Sequence, residues 1–190
     1  MTRLTLDPAV GRFVAAVADI VDRGGSEQQV TAQVVPHLRD LTAHGPDVVP
    51  APMRRPRDDS YAMYPLHVAD DGSFCVAVAV WGVGQVTPIH DHGTWGVIGI
   101  LDGVEQESRY DRPDAEGRPP TFIEQRMLGP GDVEVCCTSD QDVHRVACAS
   151  STPTVALHVY GGDIGTLERH AFDPETGRAT SFVSRWAEPS

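Results

Sequence analysis

The sequence predicts a mainly β fold, in which a small barrel follows a pair of N-terminal helices. Apolar residues recur at helical spacing over the first 45 residues, whereas short apolar or alternating runs separated by turn signals begin at Tyr61. Many short strands with turns between them are typical of an all-β sandwich or barrel. A chain of 190 residues has the length of one domain.

Three segments make up this single structural domain. Residues 1–45 form a helical segment packed on the barrel, residues 46–60 form a connector, and residues 61–190 form the barrel. The connector is rich in proline, so we expect it to lack regular structure.

Both helices have start signals. Asp7 followed by Pro8 combines a capping side chain with proline at the first helical position. Ser26 and Gln29 form a capping-box pattern at the start of the second helix. Pro36 is expected to kink this second helix.

The barrel segment opens near Tyr61 and contains one nearly unbroken apolar run of eight residues, 74–81, which is typical of a buried strand. Asp102-Gly103 is a hairpin turn signal. Further short strands are predicted at 95–101, 104–110, 121–128, 133–137, 143–146 and 154–160.

The composition excludes several classes of function. The net charge is −12, which argues against nucleic acid or an anionic membrane as a partner. All 15 basic residues are arginines, so no lysine is present to form a Schiff base or to serve a phosphate-binding loop. No apolar run approaches the roughly 20 residues that span a bilayer. The oligomeric state is left open.

The cysteines and the N-terminus indicate a cytoplasmic protein. Four cysteines in 190 residues, with no CxxC pair among them, are too sparse for a disulfide scaffold and favour a reducing compartment. Acidic residues interrupt the N-terminal segment, which therefore has no secretory pattern.

Two closely spaced histidines indicate a metal site. In a strand, residues two apart point to the same face, so His90 and His92 would project side by side while Asp91 faces away. Neighbouring imidazoles are a natural chelate for a divalent metal. A chance pair is the alternative that these residues alone leave open.

The surroundings of this pair resemble the first motif of the cupin superfamily. Five residues separate Gly84 from His90, His92 follows, and a glycine closes the next strand. The turn at 129–132, followed by His144, resembles the second cupin motif more loosely. The resemblance implies a cupin jelly-roll barrel that holds a metal in its mouth through His90, His92 and His144.

One departure from the usual cupin motif is informative. Cupins commonly carry a glutamate about four residues after the second histidine, but residues 93–96 contain no carboxylate. Fe(II) held by three neutral imidazoles keeps its double positive charge and has open positions, so it favours an anionic ligand such as a thiolate. Three histidines without the acid resemble the thiol dioxygenases within the cupins.

The stretches 81–110 and 155–174 look like the bacterial cysteine dioxygenase / 3-mercaptopropionate dioxygenase family. This resemblance covers most of residues 60–175 and is weaker over the helices. It implies an Fe(II)-dependent enzyme that adds both atoms of dioxygen to a small carboxylate-bearing thiol and yields a sulfinic acid. The matching text is Thr87 to His92 (TPIHDH), Trp95 to Gly99 (WGVIG), His158 to Gly161 (HVYG), Ile164-Gly165, and Arg169 to Pro174.

The same resemblance assigns three further site residues. His158 and Tyr160 match the last two members of a Ser-His-Tyr hydrogen-bonded relay, and Arg169 matches the arginine that binds the substrate carboxylate. A guanidinium suits this role because two N–H groups meet two carboxylate oxygens. The alternative for Arg169 is a surface position, or an ion pair with Glu168 or Asp173.

Three positions depart from the family. Ala156 replaces the relay serine, and Ala62 with Met63 stands where relatives often carry polar or basic substrate-binding side chains. These changes leave the metal ligands intact and put the identity of the thiol in question. Gly96 lies near the position of the cysteine that mammalian enzymes crosslink to the active-site tyrosine, so no such crosslink to Tyr160 is expected.

Two other functions compete with a thiol dioxygenase. The first is a metal-dependent cupin of different chemistry, such as another oxygenase, an isomerase or a hydrolase. The second is a non-catalytic cupin that binds a small molecule. The pair His158 and Tyr160 discriminates against the first, because a simple Lewis-acid site has no need of it. The complete histidine set weighs against the second.

Overall fold

The computed structural model describes residues 6–114, 118–139 and 142–189, and it confirms a mainly β fold with an N-terminal helical pair. Helices α1 (Pro8–Arg23) and α2 (Glu27–Thr42) come first. The strands of the described residues are β1 (Ala62–Val68), β2 (Cys75–Trp81), β3 (Ile89–His90), β4 (Gly96–Asp102), β5 (Glu105–Tyr110), β6 (Phe122–Leu128), β7 (Val133–Cys136), β8 (His144–Cys148), β9 (Thr154–Tyr160), β10 (Arg169–Phe172) and β11 (Ala179–Phe182).

The predicted start signals of both helices are confirmed. The Asp7 carboxylate accepts a hydrogen bond from the Ala9 N–H, and Ser26 with Gln29 forms both halves of the capping box. Helix α2 nevertheless runs without a break through Pro36. Pro36 lies on the exposed side of the helix. The buried residues on the opposite side pack against the core and stabilise the helical turns around it.

The connector contains more structure than the sequence predicts. Two short 3-10 helices, Pro46–Val48 and Ala51–Arg54, replace the expected irregular chain. Proline in the first turn of each presets a helical backbone angle, and Val48 and Met53 anchor the turns by burial in the core. The expectation of a connector without regular structure is therefore wrong.

Two antiparallel sheets form the jelly-roll barrel. The first has the strand order β1-β2-β9-β4-β7, and the second has the order β11-β10-β3-β8-β5-β6. One face of the first sheet packs on the helices, and its other face packs toward the second sheet. This double coverage explains why the whole of β2 is buried and why its sequence is continuously apolar rather than alternating.

Two strands are not among those predicted, namely β10 and β11, and β3 is shorter than the strand expected around His90 and His92, since it ends at His90. Strand β3 has only two residues, and β10 and β11 have four each, which is too short for a recognisable period. Pairing with neighbours defines them instead: β10 lies between β3 and β11 in the second sheet. Strands β3 and β10 matter for the site, because they carry the candidate site residues His90 and Arg169.

No helix among the described residues is long and apolar enough to cross a membrane. Cys75 and Cys136 are buried thiols, Cys148 is partly buried, and none of these three forms a disulfide.

A buried carboxyl of β5 gives a testable pH dependence. Burial and the neighbouring Glu107 raise the pKa of Glu105 to about 8, and its Oε2 atom has no hydrogen-bond partner within the described residues. The unfolded chain releases this proton near its ordinary pKa while the folded chain keeps it. The stability that Glu105 contributes is therefore present at low pH and is lost as pH rises toward about 8.

Glu105→Gln is expected to raise the free energy of unfolding at pH 8 by at least about 1.4 kcal/mol, the equivalent of one pKa unit, and to change it little at pH 4.5. Urea unfolding at both pH values measures this difference. Glu124→Gln, on the exposed strand β6, is the control and should show no such dependence. A gain of equal size at both pH values would contradict the account.

Candidate metal centre

Three histidines from distant parts of the chain meet in the barrel. His90 lies in β3, His92 follows it by two residues, and His144 begins β8, where it pairs directly with His90. Their nearest ring nitrogens lie within 4.8 Å of one another, and all three side chains are buried. The structure thus brings together the three histidines that the sequence singles out, in an arrangement able to hold a metal ion.

Each of these imidazoles has its Nδ1 atom within hydrogen-bond distance of an oxygen that accepts. Nδ1 must then carry the hydrogen, which leaves the Nε2 lone pair free for a metal. The pairs are His90 with the Pro88 carbonyl at 3.0 Å, His92 with Asp142 Oδ1 at 3.0 Å, and His144 with Glu107 Oε1 at 2.8 Å.

Burial also keeps His90 and His92 neutral. It lowers the pKa of His90 and His92 well below the ordinary value, and the positive charges that His144 and Arg169 can carry add to this effect. A neutral imidazole is the form that binds a metal.

Two carboxylates that the sequence analysis did not assign to the site stand directly behind the histidines. Burial would raise the pKa of Glu107, but hydrogen bonds and charges from His144 and Arg109 lower it overall, so Glu107 is ionised. The signal in the sequence was the alternation of β5, which places Glu107 and Arg109 on one face. Glu107 contacts His144 Nδ1 and, with Arg109 paired to its other oxygen, fixes the orientation of this imidazole.

Asp142 contacts His92 in the way that Glu107 contacts His144, through the Nδ1 atom of the ring. Its Oδ1 also accepts the His92 backbone N–H at 3.0 Å, and its Oδ2 accepts from Arg112 at 2.8 Å. Arg112 also donates to Asp91 at 2.6 Å, and Asp91 accepts from the His170 backbone N–H at 2.8 Å. No sequence motif marks Asp142 or Arg112, because the contacts join residues that lie 21 or more positions apart.

His158 and Tyr160 share the inward face of β9. The His158 Nδ1 lies 2.7 Å from the Tyr160 hydroxyl, and the Tyr160 ring stacks on His92 with centroids 5.4 Å apart. Burial lowers the pKa of His158 to about 3 and raises the pKa of Tyr160 well above its ordinary value. Ala156 offers no hydroxyl, and the buried His158 Nε2 has no partner within the described residues.

Arg169 is a buried cation without an acidic partner in the described chain. Its side chain is only 2% exposed, its Nη2 donates to Ser184 Oγ at 2.6 Å, and its guanidinium lies 4.7 Å from the centre of the Phe182 ring. Its Nε has no hydrogen-bond partner there. Glu168 and Asp173 are exposed and do not pair with it, so neither alternative reading of Arg169 holds.

The three clustered histidines line one small cavity of about 20 Å³ together with His158, Tyr160 and Arg169, and it has room for roughly one water molecule. A wider cavity of about 260 Å³ adjoins it, and the two share Tyr61 and Met63 in their walls. Ala62 lines the wider cavity. The lining of the small cavity is Tyr61, Met63, Trp81, Thr87, His90, His92, His144, Val146, His158, Tyr160 and Arg169, without a carboxylate among the described residues.

Gly96 lies against the Tyr160 ring, so its lack of a side chain matters. A Cβ atom at this position would lie 2.6 Å from Cys136 Sγ and 3.1 Å from Tyr160 Cε1. Gly96→Ala is expected to destabilise the protein by about 1–3 kcal/mol, as overpacking of a core does. Urea unfolding measures the loss. Adding Cys136→Ala to this variant removes the closest atom and should restore most of the stability. No recovery in the double variant would contradict the packing account.

Comparison with known proteins gives a consistent result. The family model described as cysteine dioxygenase type I matches residues 58–174. Cysteine dioxygenase type 1 of Rattus norvegicus is 33% identical over 112 residues, which cover 56% of this chain and 53% of that protein. The Homo sapiens enzyme of the same name is 32% identical over the same shares. The chain spans about half the length of the curated relatives it matches.

Solved structures that resemble the chain are more distant. A cupin superfamily protein from Desulfitobacterium hafniense DCB-2 is 14% identical with a TM-score of 0.43, covering 62% of this chain and 86% of that one. Oxalate oxidase in complex with the substrate analogue glycolate is 14% identical with a TM-score of 0.44, covering 56% of this chain and 53% of that one. The description of the fold therefore depends on the strand order given above.

Proposed function

Because the chain belongs to the cysteine dioxygenase type I family, we propose that it is an Fe(II)-dependent thiol dioxygenase acting on a small carboxylate-bearing thiol. One observation carries the proposal. The buried guanidinium of Arg169, which has no acidic partner in the described chain, shares a small cavity with three histidines whose Nε2 atoms are free for a metal. A thiol at the metal and a carboxylate at the arginine fit this pair of sites.

The donor set fits iron. His90, His92 and His144 would hold Fe(II) through neutral nitrogens, and no carboxylate belongs to the cluster of possible ligands among the described residues. Bound Fe(II) would supply open positions for the thiolate and dioxygen and the redox capacity for the reaction. In the overall reaction, RSH and O2 give RSO2H, so both oxygen atoms join the sulfur.

Arg169 would orient the substrate. Burying a cation without a counterion is costly, and a bound carboxylate would compensate the charge through charge-assisted hydrogen bonds. The bond between Arg169 and the carboxylate would hold that end of the substrate and direct its sulfur toward the three histidines. Among the described residues the cavity wall offers no carboxylate to an ammonium group, which favours a thiol without an amino group, such as 3-mercaptopropionate, over cysteine.

Tyr160 would present its hydroxyl hydrogen to the substrate. A buried N–H without an acceptor is rarer than a buried acceptor without a donor. The unpartnered Nε2 of His158 therefore favours the tautomer in which Nδ1 carries the hydrogen and donates to the Tyr160 oxygen. The Tyr160 O–H is then free to donate into the cavity, where it stabilises negative charge on sulfur or oxygen.

Tyr160→Phe is expected to lower kcat by about 10- to 100-fold, the worth of a hydrogen bond to a charged group, with a smaller change in KM. Steady-state oxygen uptake measures both constants. Tyr64→Phe, on the face of β1 that packs toward the helices and outside the cavity lining, is the matched control and should behave like the wild type. A Tyr160→Phe enzyme with unchanged kcat would remove this residue from the mechanism.

The proposal is tested by oxygen uptake with iron-loaded protein. We expect uptake only when a thiol is added, with 3-mercaptopropionate better than cysteine, and a product heavier than the thiol by two oxygen atoms. Absence of uptake with every small thiol, together with tight binding of zinc or nickel, would instead support a cupin of other chemistry. We further propose that the reaction takes place in the cytoplasm, where the unbridged cysteines suit a reducing environment.

A further inference from the structure

Ser184 lies beyond the residues that the family model matches and contacts the substrate-binding arginine. Its Oγ atom accepts from Arg169 Nη2 at 2.6 Å and lies 2.7 Å from the Tyr61 hydroxyl. Among the described residues, Ser184 accepts a hydrogen bond from the Arg169 guanidinium, whereas Arg169 Nε has no partner.

The fold places Ser184 there through strand register. Ala171 of β10 pairs with the metal-site residue His90, so Arg169, two residues earlier, shares the inward face. Phe182 of β11 pairs with Arg169, and Ser184 follows Phe182 by two residues on the same side.

Two contacts fix the segment that carries Ser184. The Ala187 N–H donates to the Met63 carbonyl of β1 at 2.7 Å, and Trp186 Nε1 donates to Asp163 Oδ1 at 3.1 Å. The Trp186 ring packs where Gly165 has no side chain. Residues 182–187 are therefore held against the barrel, and five of them line the wider cavity.

The kind of partner matters as much as its position. A hydroxyl oxygen accepts a hydrogen bond from a guanidinium but carries no charge, so it fixes the direction of the group and leaves its positive charge uncompensated. A carboxylate at the same place would neutralise Arg169 and compete with a substrate carboxylate. Phe182 has a similar effect, because its ring packs on the guanidinium without supplying a negative charge.

We propose that Ser184 is a positioning residue, which holds Arg169 toward the three histidines and so sets the specificity for thiols that carry a carboxylate. This inference rests on the proposed function. It names a role for a segment of the chain that lies outside the matched region.

Kinetics on two matched thiols test the proposal. With iron-loaded protein, Ser184→Ala is expected to raise KM for 3-mercaptopropionate about tenfold while kcat changes less than twofold. The neutral isostere 3-mercaptopropionamide should show no change. Ser184→Thr keeps the hydroxyl and should have the wild-type KM. Ser184→Asp should raise the KM for 3-mercaptopropionate more than Ser184→Ala does. Ser181→Ala, on the exposed side of β11, is the control.

A binding measurement without turnover separates this proposal from the proposed function. Under anaerobic conditions, equilibrium dialysis gives the affinity of each variant for 3-mercaptopropionate. Weaker binding by Ser184→Ala than by Ser181→Ala supports the positioning role even if no thiol drives oxygen uptake, in which case only the proposed function fails. Equal affinities, or an equal loss for the acid and the amide, would overturn the role of Ser184.

Discussion

His144→Ala is expected to abolish thiol-dependent oxygen uptake and to reduce iron retention by more than about 100-fold. The substitution removes one of three nitrogens that lie within 4.8 Å of one another, and it leaves the Glu107 carboxylate buried without the imidazole that it orients. Glu107→Gln should have an intermediate effect of about 10- to 100-fold on metal affinity, because the ligand itself remains.

Iron content after desalting and oxygen uptake measure both effects. His37→Ala is the matched control, since His37 is an exposed histidine of α2. It should retain iron and activity at the level of the wild type. Full iron content in His144→Ala would contradict the assignment of the metal site.

Arg169→Gln should lower kcat/KM for carboxylate-bearing thiols by about 30-fold to several thousand-fold, corresponding to about 2–5 kcal/mol for a buried charge pair that loses one partner. Arg169→Lys keeps the charge but loses the planar fork, so we expect a smaller but clear loss. Iron content should not change, because Arg169 is not among the metal-ligating residues.

The comparison of two thiols makes this prediction specific. The substitution should lower kcat/KM for 3-mercaptopropionamide much less than for 3-mercaptopropionate, because only the acid forms charge-assisted hydrogen bonds with a guanidinium. Arg118→Gln, at a half-exposed arginine in the loop after β5, is the control. An Arg169→Gln enzyme that discriminates between acid and amide as the wild type does would exclude Arg169 as the carboxylate site.

The sequence predicts the parts of this molecule that local patterns encode. Caps such as Asp7 and Ser26 lie next to the helices they start, and the apolar run in β2 reports its burial directly. His90 ends strand β3 and His92 follows two residues later, so their spacing along the sequence already indicates that the two side chains lie together. Strands of two to four residues and the 3-10 helices of the connector have no period to detect.

The groups behind the ligands could not be predicted in the same way. Asp142 contacts His92 from 50 residues away, and Ser184 contacts Tyr61 from 123 residues away. Such contacts depend on strand order and register, which the sequence of one strand does not report. The cluster of possible metal ligands among the described residues contains no acid, and the carboxylates of Glu107 and Asp142 contact the Nδ1 atoms of His144 and His92 instead.

X-ray absorption at the iron edge, on the anaerobic protein before and after addition of 3-mercaptopropionate, tests the central claim most directly. The account predicts imidazole nitrogens as the protein ligands of one Fe(II) and the appearance of one sulfur neighbour when the thiol is added. A carboxylate oxygen from the protein in the coordination shell, or no sulfur at any thiol concentration, would contradict it.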